Sequence, residues 1–204
     1  MTMRHVPSGD LTGFETSFHK GLERALQPHE DYDVNRWLFV PDRYTEFRYI
    51  LGTRGEKPLI CIGINPSTAR PDALDRTLQS VERIALRNRF DAFLMFNLSA
   101  QRATDPRDMA AELPEALRTE NAKAFRWALA QCAEPVVWAA WGTLVETRPY
   151  LRDCLADFAE AGAEARWVSF GPRSKKGHPH HPLYLRADTP MDDFDIGGYL
   201  KSLG

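Results

Sequence analysis

The sequence predicts an α/β protein, a three-layer α/β/α sandwich with a central four-stranded parallel sheet plus an N-terminal helix and hairpin. Three observations lead there. Four continuous apolar runs have strand length: "PLICIGIN" (58–65), "FDAFLMFNLSA" (90–100), "EPVVWAAWG" (134–142) and "ARWVSFG" (165–171). Stretches with helical apolar spacing separate them. Each run is apolar throughout rather than alternating, as strands buried on both faces of a parallel sheet are.

Each element carries its own signal. "FETSFHKGLERAL" sets Phe14, Phe18, Leu22 and Leu26 on one helical face, and Pro28 stops it. The β-like runs Trp37-Leu38-Phe39-Val40 and Phe47-Arg48-Tyr49-Ile50 flank a Pro-Asp turn and predict a hairpin, closed by Gly52 and Gly55. "LDRTLQSVERIALRN" (74–88) reads as a helix with Leu78, Val81, Ile84 and Ala85 on one side and Asp75 or Thr77 as its cap. "DPRDMAAEL" and "EALRTENAKAFRWALAQC" read as helices separated by Pro114. "RPYLRDCLADFAEAG" (148–162) is a helix with Gly162 just past its end, and "DDFDIGGYLKSL" a final short one. The organisation expected is an arm over 1–35 and a single α/β domain over 36–204, and 204 residues suffice for one sizeable core.

Composition narrows the function classes. The 26 Lys and Arg against 28 Asp and Glu give a net charge of −2, which argues against coating nucleic acid by charge alone. A local basic face stays open, around Arg83, Arg87 and Arg89 and along "PRSKKGHPHH" (172–181). No run of about 18 apolar residues occurs, and the first residues show no apolar signal core. No membrane partner is expected. Cys61, Cys132 and Cys154 form no CxxC pair and read as free thiols in a reducing cytoplasm. Neither a cofactor nor a cysteine-ligated metal is expected.

In such sheets, ligands gather beyond the carboxyl ends of the strands. Those ends read Asn65-Pro66-Ser67, Asn97-Leu98-Ser99, Trp141-Gly142-Thr143 and Gly171 to His181. Asn65 either starts a turn with Pro66 or offers an amide that positions a water. Asn97 either bonds its own loop or reads an amide-like ligand through paired bonds. Gly142 permits close backbone approach or serves packing alone. His178, His180 and His181 lie within four residues but have no acidic or thiol companion in the cluster, so a metal site is disfavoured. In His178-Pro179 and His181-Pro182 the proline fixes the backbone beside an imidazole able to stabilise an anion. At least one of the three histidines reads as a solvated loop residue. GxxxxGK[ST], GxGxxG after a strand and GxSxG are all missing, which sets aside P-loop, dinucleotide-binding and α/β-hydrolase chemistry.

Taken in order, GINPS, FNLSAQRATDP, VVWAAWG and GHPHHPLYL resemble the uracil-DNA glycosylase superfamily, whose mismatch-specific branch carries GINPG in the first position. The resemblance implies that Asn65 orients the attacking water and that Gly63, Ile64, Pro66, Ser67 and Thr68 border the substrate. It implies that Asn97 contacts the base and that Trp141-Gly142 matches the Trp-Gly after a family strand. His181-Pro182 matches the loop whose histidine faces the base carbonyl, with His178-Pro179 as a second register. The chain is also similar to a bacterial family filed as a domain of unknown function. That family shares NPSTA, NLSAQRATDP, HPLYL and an Asp-x-Thr helix start, here Asp75-Arg76-Thr77, which adds Asp75 and Thr77 to the binding candidates. The likeness spans about residues 36–186. Three departures stand out: Ser67 replaces a glycine, the histidine loop lacks the second Pro and the Ser of HPSP, and no aromatic directly follows the first motif. They weigh against duplex DNA more than against a base-sized pocket.

The expected function is hydrolysis of a base–sugar bond in DNA or a nucleotide, with Asn65 and His181 catalytic. A non-catalytic module binding a nucleobase, nucleotide or nucleic acid is the alternative. A different small-molecule hydrolase using the histidine loop is a third option.

Overall fold

The computed structural model describes residues 4–203. Its strands are β1 (Trp37–Val40), β2 (Ile50–Thr53), β3 (Pro58–Gly63), β4 (Ala92–Asn97), β5 (Val136–Ala139), β6 (Arg166–Phe170) and β7 (Met191–Asp193). Its helices are α1 (Phe18–Ala25), α2 (Arg76–Arg87), α3 (Glu115–Ala130), α4 (Tyr150–Ala161) and α5 (Ile196–Ser202).

All seven strands form one sheet in the order β1-β2-β4-β3-β5-β6-β7. The α/β class expected from the sequence holds, but a four-stranded parallel sheet does not: the sheet is mixed and larger. Parallel pairing is confined to β4, β3, β5 and β6. On one flank, the hairpin of β1 and β2 lies antiparallel against β4, pairing Leu51 with Met95 and Gly52 with Leu94. On the other, β7 runs antiparallel to β6. The physical reason is edge protection, because a four-stranded sheet would leave the N–H and C=O groups of β4 and β6 unpaired. The hairpin buries all of β1 and most of β2. The Met-Asp-Asp sequence of β7 carries no apolar signal that could have revealed it.

Successive strand residues point to opposite faces, and both faces are apolar. Leu59, Cys61, Phe93, Met95 and Trp138 pack against Leu78, Val81, Ile84 and Ala85 of α2. Ile60, Ile62, Phe96 and Val137 pack against Phe18 and Leu22 of α1, Phe125 of α3, and Leu155 and Phe158 of α4. At the heart of the second face the Phe125 and Phe158 rings stack 4.4 Å apart, 4° from parallel.

Local chemistry sets the element ends. Asp75 caps α2, its Oδ1 accepting the Leu78 N–H at 2.9 Å. Ser17 caps α1, which therefore starts later than its apolar spacing predicts. The helix expected over "DPRDMAAEL" is reduced to one 3-10 turn, Pro106–Asp108. Arg148 binds the carbonyls of Arg107 and Met109 at 2.9 Å and Ala110 at 3.2 Å, satisfying them without a helix.

No helix of the described residues is long and apolar enough to cross a membrane. The three cysteines are free, with Cys61 and Cys154 buried and Cys132 half-buried.

Truncating Phe158 to Ala removes a stacked ring from a fully enclosed position. The expected loss is about 3–5 kcal/mol of folding stability, read by chemical denaturation.

Candidate functional site

The strand order opens a crevice. From β3 the chain passes through α2 to β4 on one side, then returns through α3 to β5 on the other. Loops that diverge from such a reversal leave a ligand site at the carboxyl ends of the strands. A cleft of about 660 Å³ lies there. Of the residues singled out in the sequence, it is lined by Gly63, Ile64, Asn65, Ser67, Asp75, Thr77, Asn97 and His181. Pro66, Thr68, Trp141, Gly142, His178 and Pro182 are not among its lining.

The loop after β3 is stitched to the loop after β4. Leu98 N–H bonds Gly63 O at 3.0 Å, Ser99 N–H bonds Ile64 O at 2.8 Å, and Ala103 N–H bonds Pro66 O at 2.9 Å. Asn65 Nδ2 donates to Ala103 O at 2.7 Å and to Pro66 O at 3.1 Å. Two carbonyl acceptors fix the orientation of the amide and engage both its hydrogens. What remains free is Oδ1, an acceptor.

Asn97 ends β4 in register with Gly63. A Cβ on Gly63 would sit 2.8 Å from Asn97 Oδ1, so only glycine leaves room for the Asn97 side chain there. Asn97 is 2% exposed, and its Nδ2 has no partner among the described residues. A buried donor without an acceptor is costly unless a ligand or water completes it.

His181 belongs to the segment after β6. It caps the 3-10 turn Pro182–Tyr184, its Nδ1 accepting the Leu183 N–H at 3.3 Å. That bond makes Nδ1 the unprotonated nitrogen and places the hydrogen on Nε2. Burial, and then the neighbouring His180, lower its pKa from the usual 6.5 against an opposing pull from Asp75. The ring is neutral at pH 7. Arg83 of α2 donates to Leu185 O at 3.1 Å and ties the turn to the helix. Gly142, with φ +64°, lets the loop after β5 pass beside it, as a Cβ there would lie 3.6 Å from His181 Cβ.

His178 does not face the cleft. It is 2% exposed, and its Nδ1 lies 2.8 Å from the Tyr199 hydroxyl, which accepts from Trp141 Nε1 at 3.0 Å. The hydroxyl thus joins the indole and the His178 imidazole. The Trp-Gly motif and the first His-Pro pair therefore meet in a structural network that fastens the histidine loop to α5. His180 donates from Nδ1 to the His181 carbonyl at 2.8 Å. Among the described residues no group of three or more His, Cys, Asp or Glu could hold a metal ion.

Two arginines escaped the sequence reading. Arg48 and Arg102 are 1% and 0% exposed, and among the described residues neither forms an ion pair. Arg102 Nη1 donates to Ser67 O, and to Ala69 O at 3.3 Å, while Arg48 Nη1 reaches Ala69 O at 3.1 Å. Arg48 also lines the cleft. Arg102 stacks on Tyr44, its guanidinium carbon 4.2 Å from the ring centre. Burial pulls Arg48 down to about 10, and burial together with Arg48 pulls Arg102 down to about 9. Both stay protonated at neutral pH. A charged residue inside the apolar run "FRYI" was the one available signal, and a hairpin with a solvent face hides it.

Tyr199→Phe leaves buried Trp141 Nε1 and His178 Nδ1 without their shared partner. The expected cost is about 1–3 kcal/mol of stability, seen as a lower denaturation midpoint.

Comparison with curated proteins and with solved structures yields no match. A family model described as "Protein of unknown function (DUF1643)" matches residues 48–183. The matched span runs from Arg48 to Leu183 and takes in both asparagines, both buried arginines and His181. The chain belongs to the DUF1643 family.

Proposed function

We propose that this cleft hydrolyses a base–sugar bond in a nucleotide or in DNA, on a fold of the uracil-DNA glycosylase type. One observation carries the reading. Three side chains lining one cleft each keep a complementary hydrogen-bonding atom free of protein partners: Asn65 Oδ1 accepts, while Asn97 Nδ2 and His181 Nε2–H donate.

The roles follow from those atoms. Asn65 Oδ1 accepts one hydrogen of a water and leaves an oxygen lone pair turned to the sugar C1′. The C1′–N bond breaks with its electron pair passing to the base. His181 Nε2–H donates to the carbonyl oxygen where that charge collects, a stabilisation of about 3 kcal/mol. Asn97 Nδ2 holds an acceptor on the base edge. The water adds its hydroxyl to C1′, and its proton ends on the released base. A neutral imidazole suits the task, because protonating Nδ1 would break its bond to Leu183 N–H.

A binding module without turnover is the second reading, favoured by the cleft lining, which contains no Phe, Tyr or Trp ring to stack a base. It predicts stabilisation by a nucleobase or nucleotide with no product.

Base release decides between them. Purified protein is incubated with nucleotides and with oligonucleotides carrying uracil, mismatched thymine, hypoxanthine and alkylated or oxidised bases. Release from at least one substrate is expected, falling about 100-fold or more in Asn65→Ala, since misplacing the water by about 1 Å has that effect. Silence across the panel removes the catalytic reading.

The rate is expected to be level above pH 6.5 and to fall on the acid side, at a pH below the usual histidine value, as His181 gains its proton. The unfolded chain binds more protons than the folded one in that window, so stability also declines toward acid. A pH–rate profile that rises toward acid would contradict the assignment.

A further inference from the structure

We infer that the cleft has a second pole, built on Arg48 and backed from inside by Arg102, that binds the phosphate of a free nucleoside monophosphate. The base pole rests on the glycosylase reading, whereas the phosphate pole stands on the arginines alone.

Two protonated guanidinium groups lie side by side in the interior without a carboxylate partner. Uncompensated buried charge is strongly unfavourable. The carbonyls of Ser67 and Ala69 satisfy one nitrogen of each arginine, yet Arg48 Nε and Arg102 Nε and Nη2 have no partner. An anion on Arg48, the one of the two that lines the cleft, supplies an acceptor there and opposing charge for both. A phosphate fits best, because guanidinium groups read its oxygens in pairs.

The surroundings agree. Arg48 shares the cleft lining with Arg76, Thr77 and Ser67, and Arg76 and Thr77 open α2. The first N–H groups of a helix lack intrahelical acceptors and favour an anion. Asp75 is the one carboxylate in the lining, and its Oδ1 is engaged by Leu78 N–H. The cleft, at about 660 Å³, has room for more than a base. Both cations lie inside rather than on the rim. The backbone of a duplex lying across the mouth cannot reach them, whereas the phosphate of a free nucleotide enters with its base. The net charge of −2 likewise suits a small ligand better than a polyanion.

Thermal denaturation of the full chain tests this with inorganic phosphate, a nucleoside, the matching 5′-monophosphate and a single-stranded oligonucleotide with and without a 5′-phosphate. Chloride at matched ionic strength is the reference. At about 100-fold over Kd the monophosphate is expected to raise the midpoint by about 5–10 °C, with phosphate and nucleoside each giving less. Arg48→Met replaces a buried charge by an apolar chain, so it should fold and lose the response to phosphate. If that variant fails to fold, Arg48→Lys keeps a charge without the fork and should bind the monophosphate at least 10-fold more weakly.

Equal shifts with phosphate and chloride, or an undiminished response in the variant, would overturn the inference. A larger shift with the 5′-phosphorylated oligonucleotide than with the monophosphate would overturn the free-nucleotide assignment. Base release that ignores Arg48 would remove the phosphate pole and leave the glycosylase reading intact. Phosphate binding through Arg48 without base release would do the reverse.

Discussion

The clamp on the loop after β3 is the constraint on which the cleft depends. An irregular loop at the end of a buried strand has carbonyls that no sheet or helix partner can reach. Here three side chains supply the donors: Asn65 to Pro66 and Ala103, Arg102 to Ser67 and Ala69, and Arg48 to Ala69. The backbone bonds from Leu98, Ser99 and Ala103 close the seam. This explains why NPSTA and NLSAQRATDP occur together in the sequence. The second motif wraps the first, and Arg102 is the bolt between them. The cost of the arrangement is two buried cations, which an anion bound at Arg48, as proposed, would offset.

The opposite wall depends on a different set of ties. His181 is positioned from three directions: by its own turn through Leu183, by α2 through the Arg83 bond to Leu185, and by the close passage of Gly142. Behind it, Trp141, Tyr199 and His178 form a buried chain of hydrogen bonds that anchors the loop to α5. Neighbouring histidines therefore have different work. His178 is a fastening, His180 bonds the backbone, and His181 alone presents a free nitrogen to the cleft.

Much of the fold was legible because apolar strand runs and helix caps are local signals. Asp75 as a cap, β1 and the four strands that pair in parallel follow from residues within a few positions of one another, whereas β2 runs over Ile50–Thr53, three positions past the expected Phe47–Ile50 and with Gly52 inside it rather than closing it. β7 was not legible in the same way. β7 is short and acidic, and it is a strand only because β6 needs an edge partner. The residues of the cleft divide along the same line. Asn65, Asn97 and His181 stand at strand ends or beside proline, where polar residues draw attention. Arg48 and Arg102 lie 54 positions apart by their numbering and meet only in the folded chain. A guanidinium in a hairpin reads as solvent-facing until the loop that covers it is placed. His178 shows the converse, a residue that looks like chemistry in sequence and lies buried off the cleft, bonded to Tyr199.

A crystal structure of the protein with a nucleoside 5′-monophosphate tests the central claim most directly, namely that one cleft holds base and phosphate at opposite poles. The expected result places the base edge against Asn97 Nδ2, a base carbonyl oxygen within reach of His181 Nε2, C1′ facing a water on Asn65 Oδ1, and the phosphate on Arg48. A ligand bound outside the cleft, or one lying with its phosphate on His181 and its base on the arginines, would contradict it.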